Sequence, residues 1–108
     1  MIEKRKFQRY KVDLPIRFLC KETQREGEGR LLDISANGAG LILTLEKLSS
    51  GLHLEVWVEL ADKKEPLYLT GVVVWTKEIK VGVFHAGIQF DKVDFISMWR
   101  LFEVIKPK

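Results

Sequence analysis

The chain has 108 residues, 46% hydrophobic and 31% charged, which suits one domain with one core and is too small for two ordinary domains. No apolar run approaches the roughly 20 residues that span a bilayer, and no apolar segment typical of a signal peptide follows the charged N-terminus. The net charge is only +3, but residues 1–11 carry five cations against one anion, a local charge of +4. Cys20, the single cysteine, lies on the apolar side of an alternating run, which indicates a buried thiol and a cytoplasmic protein.

Six segments have the alternation or the β-branched content of strands. In the first, Pro15 predicts an edge position or a bulge, because proline cannot donate to a ladder. The polar stretch 21–29 predicts a turn. Asn37 and Gly38 predict a tight hairpin connection with positive φ. The predicted strands are 12–20, 30–34, 39–45, 52–60, 67–76 and 83–90.

Beyond the sixth strand the apolar residues recur at helical spacing from Phe95 to Ile105, which predicts a C-terminal helix over 92–106. Several short strands followed by one helix predict an all-β fold, a six-stranded antiparallel (split) β-barrel over 12–90 with a C-terminal α-helix. Closure is expected because it removes unpaired strand edges. We expect one domain over 1–108.

No pattern of catalytic or metal-binding residues is present in the sequence. The two histidines, His53 and His85, have no partner at metal-ligand spacing, and no nucleophile elbow, phosphate-binding loop or zinc-protease motif occurs. We therefore expect a binding protein that is not an enzyme and holds no metal.

Two short segments carry the residue types of a ligand site. In RKFQR, Arg5 and Arg9 each offer a guanidinium fork for phosphate or for a guanine edge. In DISANG, Asp33 and Ser35 follow each other two residues apart at a strand end, so both are expected on one face, before Gly38. A frayed basic tail and an ordinary serine-stabilised hairpin turn are the alternatives.

Together, RKFQR and DISANG resemble the RxxxR and DxSxxG motifs of the PilZ domain, the family of bacterial receptors for the second messenger cyclic di-GMP. VVW at 73–75 and GIQF at 87–90 resemble the later strand signatures of the family, so the resemblance covers most of the chain. It implies a six-stranded antiparallel barrel with a C-terminal helix, the fold that the periodicity predicts. It also implies cyclic di-GMP as ligand, without a further cofactor.

The resemblance implies roles for the motif residues. Arg5 and Arg9 would clamp phosphates and guanines. Asp33 and Ser35 would bind a guanine and a phosphate, and Gly38 would shape the turn.

Three further residues, Lys4, Lys6 and Trp75, are secondary candidates for the ligand site. Lys4 and Lys6 would add electrostatic support, and the resemblance ties Lys4 to the choice between one ligand and a stacked pair. Trp75 would pack against a purine or belong to the core. Outside that site, Trp57 on the polar side of its strand would mark a partner surface or be a single exposed apolar residue without a role.

The mechanism that we expect is a switch. Like charges keep the segment 1–11 mobile, ligand orders it across the barrel, and the new surface engages a downstream protein partner. One alternative is a protein-interaction module of the same fold that binds no nucleotide. A second is a barrel for single-stranded nucleic acid, but one localised cationic patch favours a compact ligand over a nucleic-acid polymer.

Overall fold

The computed structural model describes residues 9–62, 64–91 and 95–105. These residues form six strands followed by one helix, as the sequence predicts. The elements are β1 (Tyr10–Cys20), β2 (Arg25–Ile34), β3 (Gly38–Thr44), β4 (His53–Val58), β5 (Leu67–Lys80), β6 (Val83–Phe90) and α1 (Phe95–Ile105).

The six strands close into an antiparallel barrel in the order β1-β2-β3-β6-β5-β4. β1 and β4 complete the ring through pairs that run from Ile16 with Val58 to Cys20 with Leu54. The predicted fold class is therefore confirmed. β1 shifts its register against β2 just before Pro15, in agreement with the irregularity that this proline predicts. The ring order places the β3–β6 pair opposite the β1–β4 pair, so the barrel has two opposite walls, which we call the β3–β6 wall and the β1–β4 wall.

The core fills the barrel because alternate side chains of each strand point inward. In β1, the side chains of Ile16, Phe18 and Cys20 are at most 2% exposed, and Cys20 is a free, buried thiol, as predicted. The helix α1 adds Met98 and Leu101 to the same cluster. These two side chains therefore hold α1 against the barrel.

β2 begins earlier than the sequence predicts. The polar stretch 21–29 predicts a turn, but residues 25–29 pair with β1, so the turn prediction is wrong over that part. The reason is packing: a Cβ at Gly27 would lie 3.1 Å from Cζ of Phe18, so the ring of Phe18 lies over a residue without a side chain. A tertiary contact of this kind outweighs the low strand propensity of glycine.

β5 extends further than predicted, to Lys80 rather than to Thr76. The ladder with β4 ends at Val72, and beyond it β5 continues with β6 as a hairpin whose tip is formed by Val81 and Gly82. Gly82 has a φ of +83°, which a side chain would disfavour, and Val81 is 95% exposed. The β5–β6 hairpin is therefore an apolar-tipped extension of the barrel.

Two register shifts decide which side chains face outward. Residues two apart in a regular strand face the same side. Leu31 is nevertheless fully buried while Asp33 lies outside, because β2 shifts its register against β3 between them. A second shift, between β5 and β6, separates Val73, which is 1% exposed, from Trp75, which is 44% exposed. Such bulges re-aim the side chains that follow them, and here they turn Asp33 and Trp75 onto the outer surface.

Candidate ligand site on the barrel wall

A row of four residues crosses the β3–β6 wall from β2 to β5. Asp33 pairs with Gly40, Gly40 pairs with Gly87, and Gly87 pairs with Trp75. Neighbouring strands are about 4.8 Å apart, so this row spans roughly 14 Å from the carboxylate strand to the indole strand. One end of the row is the carboxylate of Asp33, the other end is the indole of Trp75, and the two glycines between them have no side chains.

The two glycines let both flanking side chains lie flat along the wall. A Cβ at Gly40 would lie 2.8 Å from Oδ2 of Asp33, and a Cβ at Gly87 would lie 2.6 Å from Cε2 of Trp75. Both distances are too short for real contacts, so the carboxylate lies over the backbone of Gly40 and the indole over that of Gly87. The sequence motifs did not single out Gly40, and they included Gly87 only as the first residue of GIQF. Glycine within a strand is a known signal of such a close approach.

Arg9 brings a guanidinium to the carboxylate end of this row. It directly precedes β1, where Lys11 pairs with Asp33, and its Nη1 donates to Oδ1 of Asp33 at 2.5 Å. The side chains of Arg9 and Asp33 are 39% and 29% exposed. A partly exposed ion pair of this kind is worth at most about 1 kcal/mol, so an anionic ligand can replace it at small cost.

Tyr10 fixes the start of β1 and with it the position of Arg9. Its backbone pairs with Ile34, and its ring contacts the ring of Phe102 in α1, with centroids 5.3 Å apart. Arg9 is therefore connected through its neighbour Tyr10 and one aromatic contact to the C-terminal helix.

The turn between β2 and β3 holds the remaining motif residues. Ser35 lies just beyond β2 and is 1% exposed; its hydroxyl donates to Oδ1 of Asn37 at 2.7 Å, and its backbone N–H donates to the carbonyl of Gly38. The spacing predicts that Ser35 shares the open face with Asp33, but in the structure Ser35 is buried and does not lie on that face. Its hydroxyl instead stabilises the turn.

Gly38 is required for a different reason from the predicted one. Neither Asn37 nor Gly38 has a positive φ, so that prediction is wrong. Gly38 pairs with Gln89, and a Cβ on it would overlap the carbonyl oxygen of Ile88. The glycine therefore permits β3 to approach β6 closely at the start of their ladder.

At the other end of the row, Trp75 is a surface residue and not part of the core. Its ring meets the ring of His85 edge to face, with centroids 4.9 Å apart. His85 lies on the outer side of β6, two residues before Gly87 in the same ladder. This edge contact and the glycine below leave one face of the indole available to a planar ligand.

Comparison with known proteins identifies the fold. A family model described as the PilZ domain matches residues 3–105. The chain belongs to the PilZ domain family. PilZ domains are receptors and adaptors, and the Arg9 and Asp33 pair joins the two motifs that carried the resemblance.

Solved structures share this PilZ fold at low sequence identity. The PilZ domain of YcgR from Escherichia coli, solved with c-di-GMP, has a TM-score of 0.74 and 17% identity, over 95% of this chain and 89% of its own. The inhibitor of motility MotI (DgrA) of Bacillus subtilis gives 0.71 and 18%, over 96% of this chain and 50% of its own. The complex of MrkH from K. pneumonia with c-di-GMP gives 0.58 and 14%, over 95% and 51%. No curated protein sequence matches the chain.

Three of the predicted site residues, Lys4, Arg5 and Lys6, lie outside the described residues. Within the described ranges, no three His, Cys, Asp or Glu side chains come close enough together to hold a metal ion. The same part of the chain contains no helix with the length and hydropathy needed to cross a membrane.

Proposed function

We propose that this PilZ domain is a bacterial cyclic di-GMP receptor, without catalytic activity, that acts in the cytoplasm. The observation that carries the proposal is the row on the β3–β6 wall. A guanidinium, a carboxylate and an aromatic face surround a side-chain-free floor, which is the set of groups that a phosphate and a purine require. The free, buried thiol of Cys20 supports a reducing compartment.

The guanine base would lie on the glycine floor between Asp33 and Trp75. The Asp33 carboxylate only accepts hydrogen bonds, and the N1–H and N2–H groups of guanine are adjacent donors, so the two edges are complementary. The indole of Trp75 offers a π face for stacking, which is worth about 1–3 kcal/mol for a base on an aromatic ring. Gly40 and Gly87 keep the space between them open.

The phosphates would bind the arginines. Arg9 would exchange its pairing with Asp33 for a ligand phosphate, which frees the carboxylate for the base, and Arg5 would add a second fork. Lys4 and Lys6 would add positive charge. Ser35 would reach a phosphate only by giving up Asn37 as its acceptor, and Gly38 would keep the turn in place.

Ligand binding would be the switch. Tyr10 and Lys11 of the expected mobile segment 1–11 already belong to β1, so the switch would involve residues 1–9. Like charges in this stretch repel one another, and the ligand would reduce that repulsion and order the stretch across the β3–β6 wall. The new surface would then engage a downstream protein. Steady-state heteronuclear NOE values for residues 1–8 should rise on addition of cyclic di-GMP, and an equally rigid segment in the free protein would contradict this step.

Calorimetric titration with cyclic di-GMP tests the receptor function. Binding is expected for the wild type, and Arg9→Ala should weaken it by about 1.5–3 kcal/mol, roughly 13- to 160-fold, because it removes a charged hydrogen-bond donor. Arg25→Ala is the matched control: Arg25 is an exposed arginine at the other end of β2 whose ion pair with Glu46 is 3.6 Å long, and its loss should change affinity less than twofold. Absence of heat with folded wild-type protein would refute the receptor function and favour the nucleotide-independent interaction module.

A further inference from the structure

A groove of about 410 Å³ lies on the β1–β4 wall, opposite the candidate ligand site. Leu19, Trp57 and Pro66 give it an apolar surface, and charged side chains form its rim. The residues that line this β1–β4 groove are Arg17, Leu19, Glu26, Trp57, Glu59 and Pro66.

Two aromatic rings form one side of the groove and its border. Trp57 pairs with Arg17 on one strand and with Tyr68 on the other, so these three side chains form a row on the outer face. The rings of Trp57 and Tyr68 are 5.5 Å apart at 45°, and Tyr68 is 47% exposed. The hydroxyl of Tyr68 donates to Oε1 of Glu55 at 2.6 Å, which fixes the phenol ring beside a carboxylate.

The charge around these rings is negative, although the chain as a whole is positive. Arg17 has Glu28 as its neighbour on β2, and Leu19 lies between Glu26 and Glu55. Arg17 approaches Glu26 only to 3.9 Å. Within the part of the chain that the structure describes, Glu28 and Glu59 have no ion-pair partner. The guanidinium of Arg17 is therefore outnumbered by four carboxylates, those of Glu26, Glu28, Glu55 and Glu59.

We propose that the β1–β4 groove docks a basic segment of a partner protein. An arginine of that segment would lie over the rings of Trp57 and Tyr68 and pair with the rim carboxylates, because guanidinium groups bind both aromatic faces and carboxylates. An apolar neighbour of that arginine would pack on Leu19 and Pro66. An acidic or neutral segment gains nothing from the rim, so charge complementarity selects the basic partner.

The groove and the ligand site can be occupied together. They lie on opposite walls, and the residues that line the groove are absent from the row on the β3–β6 wall. The inference therefore stands apart from the proposed receptor function, and each can fail without the other.

Selection of a random 12-residue peptide library displayed on phage against the full chain tests the proposal. Enriched peptides should contain arginine next to an apolar residue. In fluorescence anisotropy, a synthetic peptide of the enriched sequence should bind Trp57→Ala at least tenfold more weakly than it binds the wild type. The same peptide with citrulline in place of arginine should bind the wild type at least tenfold more weakly than the arginine peptide does. Trp99→Ala removes another exposed tryptophan, on α1, and should leave the affinity within twofold.

The exposed rim provides a second variant that leaves the apolar contacts intact. Glu59→Lys should also weaken the peptide at least tenfold, and higher salt should reduce the affinity of the wild type. Titration of Trp57→Ala with cyclic di-GMP should match the wild type, which separates a failure of the groove from a failure of the ligand site.

Several results would overturn the proposal. These are enrichment of peptides without cations, equal binding to Trp57→Ala and wild type, and a selection that enriches no peptide. Self-association in analytical ultracentrifugation that Trp57→Ala abolishes would also overturn it, because it would assign the groove to a second copy of the chain.

Discussion

The floor of the candidate ligand site can be tested by adding a single methyl group. Gly87→Ala places a Cβ against three atoms of the Trp75 indole, with carbon contacts of only 2.6 Å to Cε2 and 2.9 Å to Cδ1. Backbone cannot give way there, since Gly87 is paired on both sides with Gly40 and Trp75. The indole, which is 44% exposed, must instead swing toward solvent.

Displacing the indole should cost the stacking of the base, about 1–3 kcal/mol, so Gly87→Ala should weaken cyclic di-GMP binding roughly 5- to 160-fold. The change in unfolding free energy should stay under about 1 kcal/mol, because alanine is favoured over glycine in strands and the ring moves into water. Isothermal titration gives the affinity, and urea unfolding gives the stability. Ile79→Ala, a change at an exposed residue on β5, the strand of Trp75, should alter neither.

A double-mutant cycle decides whether the effect acts through the ring. In a Trp75→Ala background there is no indole to displace, so Gly87→Ala should then cost less than about 0.5 kcal/mol of binding. Wild-type affinity for Gly87→Ala, or an equal penalty in both backgrounds, would refute the role of the glycine floor.

Two further predictions concern stability. The pKa of Glu22 is lowered from 4.5 to about 2, first because the backbone N–H of His53 donates to the Glu22 carboxylate and second because the His53 ring also hydrogen-bonds to it. The stabilisation from the ionised Glu22 is therefore complete above pH 4.5 and is lost as the pH falls toward 2. Glu22→Gln should therefore flatten the decline of the urea midpoint between about pH 5 and pH 2, and an unchanged decline would contradict this. Leu101→Ala should lower the unfolding free energy by about 2–5 kcal/mol in denaturant titration, because the Leu101 side chain of α1 is fully buried. Trp99→Ala, at an exposed position of α1, should change the unfolding free energy by less than about 0.5 kcal/mol, and equal effects of the two changes would show that α1 does not dock as described.

The sequence was informative wherever a local pattern matched the packing. Strict alternation over 52–60 predicted β4, which is observed over His53–Val58, and the change to helical spacing predicted α1. The resemblance to the PilZ motifs assigned Arg9 and Asp33 to one ligand site, and these two side chains form an ion pair although they are 24 residues apart. These features depend on side-chain type and period, which a single sequence displays directly.

The remaining features depend on contacts that no local pattern records. A period of two would place Asp33 beside the buried Leu31 and Trp75 beside the buried Val73, and only the two register shifts turn them outward. Register shifts arise from how two strands pair, so one strand alone does not reveal them. Ser35 differs from its predicted orientation for a related reason, because β2 ends one residue before it.

The long β5–β6 hairpin leaves a portion of sheet edge exposed on an otherwise closed barrel. Beyond Val73, the side of β5 that faces away from β6 pairs with no described strand, so its main-chain N–H and C=O groups are open to another polypeptide. Lys77 and Lys80 lie on this edge, and lysines on edge strands oppose sheet-to-sheet association by repulsion. Substitutions that neutralise Lys77 and Lys80 are therefore expected to promote aggregation through this edge.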